Sequence, residues 1–209
     1  MTLRVMVPLP VPGRVHDPHP RPARPHRHRR HPPRPGHPPP PLHAAPPDLA
    51  LAPWPTPDPA AFRALFRAIG GPWLWYSRLL RTDAELRATL HAPGTRVLLA
   101  REGDTTIGFS ELHLGTPGLA ELTFLGLLPA HIGGGRGRWL LRETCRAAWG
   151  APRVAQVRVN TCTLDHPAAL PNYLHAGFRV TGRSVETFPD PRLSGLLPPD
   201  VAPQLGAPV

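Results

Sequence analysis

The stretch Leu127-Leu128-Pro129-Ala130-His131-Ile132-Gly133-Gly134-Gly135-Arg136-Gly137-Arg138-Trp139-Leu140-Leu141 carries more structural information than any other part of the chain. An apolar run ends at Leu128, glycines crowd residues 133–137, and Trp139, Leu140 and Leu141 resume as the start of a helix. The order is strand, glycine loop, helix. Glycine lets backbone N–H groups approach an anion closely, and a helix N-terminus adds partial positive charge, so this junction suits a phosphate or pyrophosphate. The same glycines could serve only as a tight strand-to-helix connection. A nucleoside-triphosphate loop needs a Gly-Lys-Ser/Thr end, and the chain contains no lysine; a dinucleotide fingerprint needs a third glycine where Arg138 stands. Both ligand classes lose ground together.

Working upstream, residues 119–128, 105–114 and 96–101 read as three strands in a meander, with turns at Gly115-Thr116-Pro117-Gly118 and Gly103-Asp104. Two helices precede them. Asp58 caps the first, with Pro59 in its first turn, Phe62, Leu65, Phe66 and Ile69 at helical spacing, and a stop at Gly70-Gly71. Thr82-Asp83-Ala84-Glu85 opens the second as a capping box, with Leu86 and Leu90 on one face. Downstream, the helix after the glycine loop runs to Trp149-Gly150, residues 153–161 alternate as a strand, residues 167–175 form a short helix ended by Gly177, and residues 178–188 return as a strand. The order ααβββαβαβ predicts an α/β (mixed α+β) fold, a central mixed β-sheet of about six strands flanked by helices.

Charge is concentrated outside this region. The chain has 209 residues and a formal charge of +10, carried entirely by arginine. Residues 1–60 hold 20 of the 33 prolines, and residues 1–47 hold eight arginines against Asp17 alone, so +7 of the charge lies there. Residues 1–57 are expected to be a disordered Pro/Arg/His-rich tail, 58–190 the folded domain, and 191–209 an irregular Pro-rich C-terminal tail. Removing residues 1–47 is expected to leave the fold intact. Lysine-free, arginine-rich usage matches translation of GC-rich DNA, so the charge argues only weakly for a nucleic acid partner. Seven histidines in residues 1–47 have no fixed geometry for a metal, and none is expected. Cys145 and Cys162 are too few for a disulfide framework, which suits a reducing, cytoplasmic compartment. Prolines at 8, 10 and 12 break the apolar opening, so neither a signal peptide nor a membrane span is expected.

Two motifs then carry a resemblance. The run Ile132-Gly133-Gly134-Gly135-Arg136-Gly137 resembles motif A of the GNAT superfamily of acyl-CoA N-acyltransferases, Gln/Arg-x-x-Gly-x-Gly/Ala, with Ile132 in the position of the usual glutamine or arginine. His166-Pro167-Ala168-Ala169-Leu170-Pro171-Asn172-Tyr173-Leu174-His175-Ala176-Gly177-Phe178 resembles motif B, with Ala169, Tyr173, Gly177 and Phe178 in register and His166 replacing asparagine. Residues 161–170 also resemble an uncharacterised bacterial subgroup. The resemblance spans about residues 60–188 and implies a GNAT fold and an enzyme moving an acetyl group from acetyl-CoA, its co-substrate, to a primary amine on a small molecule or protein. Dimerisation is common in that family. It further implies coenzyme contacts at Leu127, Leu128, Ile132, Gly133, Gly134, Gly135, Arg136, Gly137, Arg138 and His166, with a backbone oxyanion donor near Leu127 or Leu128. Tyr173 stands where the family has its phenol acid, and Trp73, Trp75 and Tyr76 fall in its acceptor region.

An alkyl ammonium with a pKa near ~10 is charged at neutral pH and must lose a proton before it attacks, so a base is needed. Glu121, in an otherwise apolar strand, is the first candidate, because the resemblance places it, eleven residues before Ile132, where histone-type members of the superfamily carry a glutamate base; Glu111 on the preceding strand is its rival. Either could equally be a solvent-facing or ion-paired strand residue. Cys162, Asp165 and His166 lie too close in sequence for a hydrolase-type nucleophile and base; Cys162 reads as strand-end packing and His166 as a loop or cap residue. Two further functions fit the same sequence: a nucleic-acid-binding protein whose basic tail grips phosphates beside a degenerate GNAT fold, and a non-catalytic acyl-CoA sensor.

Overall fold

The computed structural model describes residues 2–8 and 48–208. Two strands come first, β1 (Thr2–Pro8) and β2 (Leu49–Pro53), each stopping at a proline, which has no N–H to offer a ladder. Helix α1 (Pro59–Gly70) starts as its sequence predicts: Asp58 accepts from the Ala61 N–H at 3.0 Å, and Pro59 fills the first turn. Helix α2 (Asp83–Leu90) has the full capping box, with Thr82 N–H donating to Glu85 at 2.8 Å and Glu85 N–H to the Thr82 hydroxyl at 3.3 Å. Such caps stabilise a helix by about 1 kcal/mol.

The meander follows as β3 (Thr95–Glu102), β4 (Thr105–Thr116) and β5 (Leu119–Leu127), then α3 (Arg136–Trp149), β6 (Gln156–Cys162), α4 (Ala169–His175) and β7 (Arg179–Ser184). One sheet contains every strand in the order β2-β3-β4-β5-β6-β1-β7, antiparallel throughout except where β5 and β6 run parallel. The parallel pair needs a crossover, and α3 supplies it.

Both faces of the sheet are covered. On one, α1 and α2 bury Phe62, Phe66, Ile69, Leu86 and Leu90 with Val97 and Phe109. On the other, Leu141 and Ala148 of α3 meet Leu112, Leu122, Val157 and Val159, with Tyr173 and Phe178. Gly126 lets α1 lie against β5, because a Cβ there would stand 2.4 Å from Ile69 Cγ2. Among the described residues no helix is long and apolar enough to cross a membrane.

The mixed α/β fold is as expected, with seven strands in the sheet among the described residues where about six were expected. Two boundaries differ from the sequence reading. Order does not wait for Asp58: β2 pairs with β3, and β1 lies between β6 and β7, so residues 2–8 and 48–57 belong to the domain and not to a tail. Residues 9–47, the rest of that tail, lie outside the described residues. The proline density hid the two strands, yet a strand of five or seven residues needs only that proline fall at its end. The C-terminal segment is irregular as expected, but it is packed: Leu197 and Ala202 join the core beside α1, and buried Arg192 binds Asp190 and the Gly206 carbonyl.

Candidate active site

Strands β5 and β6 pair only where Leu119–Leu122 face Gln156–Val159, and beyond Leu122 they diverge. The gap opens a cavity of about 820 Å³. It passes from the α3 face of the sheet to the α1 face, because its walls include Leu141 and Tyr173 from one core and Ile69, Trp75 and Phe124 from the other. The second half of β5 keeps β4 on one side and presents its other edge to the gap. Leu128 N–H donates to the Ile107 carbonyl at 2.8 Å. Ladder alternation therefore turns the Leu127 N–H the opposite way, toward the cavity that Leu127 lines.

At one end stands the glycine loop. Gly133, Gly134 and Gly135 have φ of +109°, +56° and +80°, a left-handed run that L side chains resist. Gly137 is different. Its φ is ordinary and a Cβ would meet nothing within 4 Å, so neither backbone nor protein packing asks for glycine there. A ligand approaching that surface would. The first turn of α3 has no acidic residue and Gly135 offers no side-chain cap; the Arg136 N–H donates to the Gly133 carbonyl at 3.1 Å, and the helix N-terminus keeps its positive field for an anion. Ile132, Gly133, Gly134, Gly135, Gly137 and Arg138 all line the cavity, and Arg138 has no ion-pair partner among the described residues. Arg136 does not line it: its guanidinium turns back to Glu102 at 2.7 Å and 3.1 Å.

The other end is aromatic. Trp73, Trp75 and Tyr76 line it together, joined by Phe124, Leu164 and Phe188. Trp75 also belongs to the core, 5.5 Å from Phe66 and 5.1 Å from Phe124. Tyr76 lies against Phe188 at 4.9 Å, and Trp73 meets His166 edge-on at 5.1 Å. His166 Nδ1 accepts from Ala168 N–H at 3.0 Å in the turn ahead of α4. His166 also lines the cavity, beside Trp73.

Tyr173 lines the cavity and is 7% exposed. Burial, and then the Asp165 charge, push its phenol above the ordinary tyrosine range. Asp165 accepts from the Thr161 hydroxyl at 2.7 Å and Cys162 N–H at 2.9 Å, ending β6. Burial and Asp165 both raise the Cys162 thiol, so this trio is built as a strand-end turn and not as an activated nucleophile.

Neither glutamate reaches the cavity wall. Glu121 accepts from Arg158 at 2.6 Å and from Asn160 at 3.1 Å, so its neighbours are a guanidinium and an amide where the strand's own sequence suggested hydrocarbon. Asn160 does line the cavity. Glu111 is 1% exposed and ion-paired with Arg78, whose guanidinium lies 5.0 Å from the Phe124 ring. That pair fastens the segment carrying Trp73 to Tyr76 onto β4. Sequence reasoning missed Thr123, Asn160, Leu164, Glu186 and Phe188, which reach the cavity only through tertiary folding.

The profile of the acetyltransferase (GNAT) family matches residues 52–178. No curated protein matches the chain in sequence. Among solved structures, an acetyltransferase from Thermus thermophilus is 26% identical, with a TM-score of 0.50 over 63% of this chain and 86% of that one. The aminoglycoside acetyltransferase meta-AAC0020 from an uncultured soil metagenomic sample, in complex with trehalose, is 16% identical with a TM-score of 0.54, covering 68% and 95%. The spermidine N-acetyltransferase of Vibrio cholerae, a dodecamer, is 19% identical with a TM-score of 0.53, covering 68% and 85%.

Proposed function

The chain belongs to the acetyltransferase (GNAT) family, and from that premise we propose that it transfers an acetyl group from acetyl-CoA to a primary amine by direct attack inside the cavity. Gly137 carries the reading: a glycine that neither backbone nor packing requires, on an uncapped helix N-terminus, suits a diphosphate held by backbone. Acetyl-CoA supplies the activated thioester. Gly133, Gly134, Gly135, Gly137 and Arg138 hold its diphosphate, and the open edge of β5 offers N–H and C=O groups to its amide-bearing arm.

The Leu127 N–H, turned into the gap, meets the negative charge that grows on the acyl oxygen during attack. Tyr173 faces the leaving sulfur. Its raised pKa keeps the phenol protonated at working pH, so it gives a hydrogen bond that strengthens as charge gathers on sulfur. The amine sheds its proton to water held along Thr123 and Asn160, with Glu121 behind Asn160 as the accepting carboxylate.

The test is release of free coenzyme A from acetyl-CoA with pooled amines. Glu121→Gln is expected to lower turnover about 10²-fold near neutral pH, partly recovered at higher pH, with acetyl-CoA affinity unchanged. Tyr173→Phe should lose rate instead through the leaving group, so its defect shrinks with a donor of lower thiol pKa. Because burial raises the phenol, the wild-type rate should show no falling limb from Tyr173 below the ordinary tyrosine value of 10.0. Identical responses of the two variants to pH and donor would overturn the roles.

A further inference from the structure

The cavity's acceptor end is rich in aromatic surface and poor in usable negative charge. Trp73, Trp75, Tyr76, Phe124, Leu164 and Phe188 form its walls, while the only carboxylates lining the whole cavity among the described residues are Asp165 and Glu186. Asp165 already serves the Thr161 hydroxyl and the Cys162 N–H, and Glu186 is exposed to solvent. Among the described residues the one arginine in the lining is Arg138, which repels cations from the glycine-loop end.

These surfaces favour some amines strongly over others. A polyamine or aminoglycoside carries several ammonium groups, and each one taken from water into an apolar wall needs a carboxylate in return. Among the described residues the cavity has no buried one to spare. An amine with a single nitrogen on a hydrocarbon or aromatic body instead buries that body against the indoles and phenyl rings, and its one charge is given up with the proton it loses before attack. We infer that the acceptor is a primary amine on an apolar, ring-sized body, recognised by Trp73, Tyr76 and Phe188, and not a polycation. The inference rests on the acyl-transfer reading above. It runs against the substrates for which two structural neighbours are named, spermidine and aminoglycosides, whose likeness to this chain is one of fold.

The experiment separates the two readings. Coenzyme A is first titrated into the full chain by calorimetry, and the loaded protein is then titrated with 2-phenylethylamine or spermidine, following tryptophan fluorescence and heat. The expected result is 2-phenylethylamine binding at least about 10-fold more tightly than spermidine. Trp73→Ala and Tyr76→Ala should each weaken it about 10-fold while coenzyme A affinity holds, which also certifies their fold. Spermidine binding as tightly as 2-phenylethylamine, or aryl-amine binding indifferent to both substitutions, overturns the acceptor class and leaves acyl transfer standing. Failure of coenzyme A itself to bind overturns acyl transfer, and this inference falls with it.

Discussion

At one end of the cavity, Gly133, Gly134, Gly135, Gly137 and Arg138 line it from one contiguous loop and helix turn; at the other, Trp73, Trp75, Tyr76 and Phe188 line it with side chains drawn from segments far apart in the sequence. The backbone end stands on a contiguous loop and the first turn of one helix, so few distant residues can disturb it. The aromatic end depends on remote supports. Arg78 and Glu111 fasten the segment of Trp73 and Tyr76 to β4, and β7, which leads to Glu186 and Phe188, has β1 as its sheet neighbour. A site made of backbone is sensitive to an added Cβ; a site made of converging side chains is sensitive to whatever holds the segments together.

The largest effect should come from β1. Deleting Met1–Pro8 strips β6 of one partner and β7 of its neighbour, and the lost ladder bonds, each worth about 0.5–1.5 kcal/mol net, approach the roughly 5–15 kcal/mol total of a typical domain. A large fall in Tm is expected by calorimetry, and an unchanged Tm would return residues 2–8 to the status of a tail. Next comes Glu111→Ala, which leaves the Arg78 guanidinium, 12% exposed, without its carboxylate. Removing one partner of a buried pair costs about 3–5 kcal/mol. The folded variant should show a raised KM for the amine with acetyl-CoA affinity intact. An equal loss at both ends would erase the distinction drawn between them.

Local signals were legible in the sequence. Asp58 with Pro59 and the Thr82/Glu85 box mark helix starts that involve only neighbours in the chain, and the glycine loop is a run of adjacent residues. What the sequence concealed is non-local. Strand β1 is held in place by β6 and β7, about 150 to 180 residues onward, and nothing within residues 2–8 announces those partners. Glu121 sits among apolar neighbours in its own strand, yet the parallel register sets it beside Arg158. The sequence pattern carries the last strand to Phe188, but the strand stops at Ser184, and Phe188 in the segment beyond meets Tyr76. Of the two residues named as oxyanion donors, only the bond from Leu128 to Ile107 distinguishes them, and that bond belongs to the fold.

The central claim is that backbone around Gly137 holds the coenzyme, and acetyl-CoA titration of the wild-type chain and Gly137→Val by calorimetry tests it most directly. A Cβ at Gly137 meets no protein atom within 4 Å, so the variant should fold with a Tm close to wild type. The account predicts that wild type binds acetyl-CoA and gains about 2.7 kcal/mol of stability at a hundredfold excess over Kd, while Gly137→Val binds about 10²-fold more weakly. Wild-type affinity in a folded Gly137→Val protein, or no binding to the wild-type chain at millimolar acetyl-CoA, would contradict it.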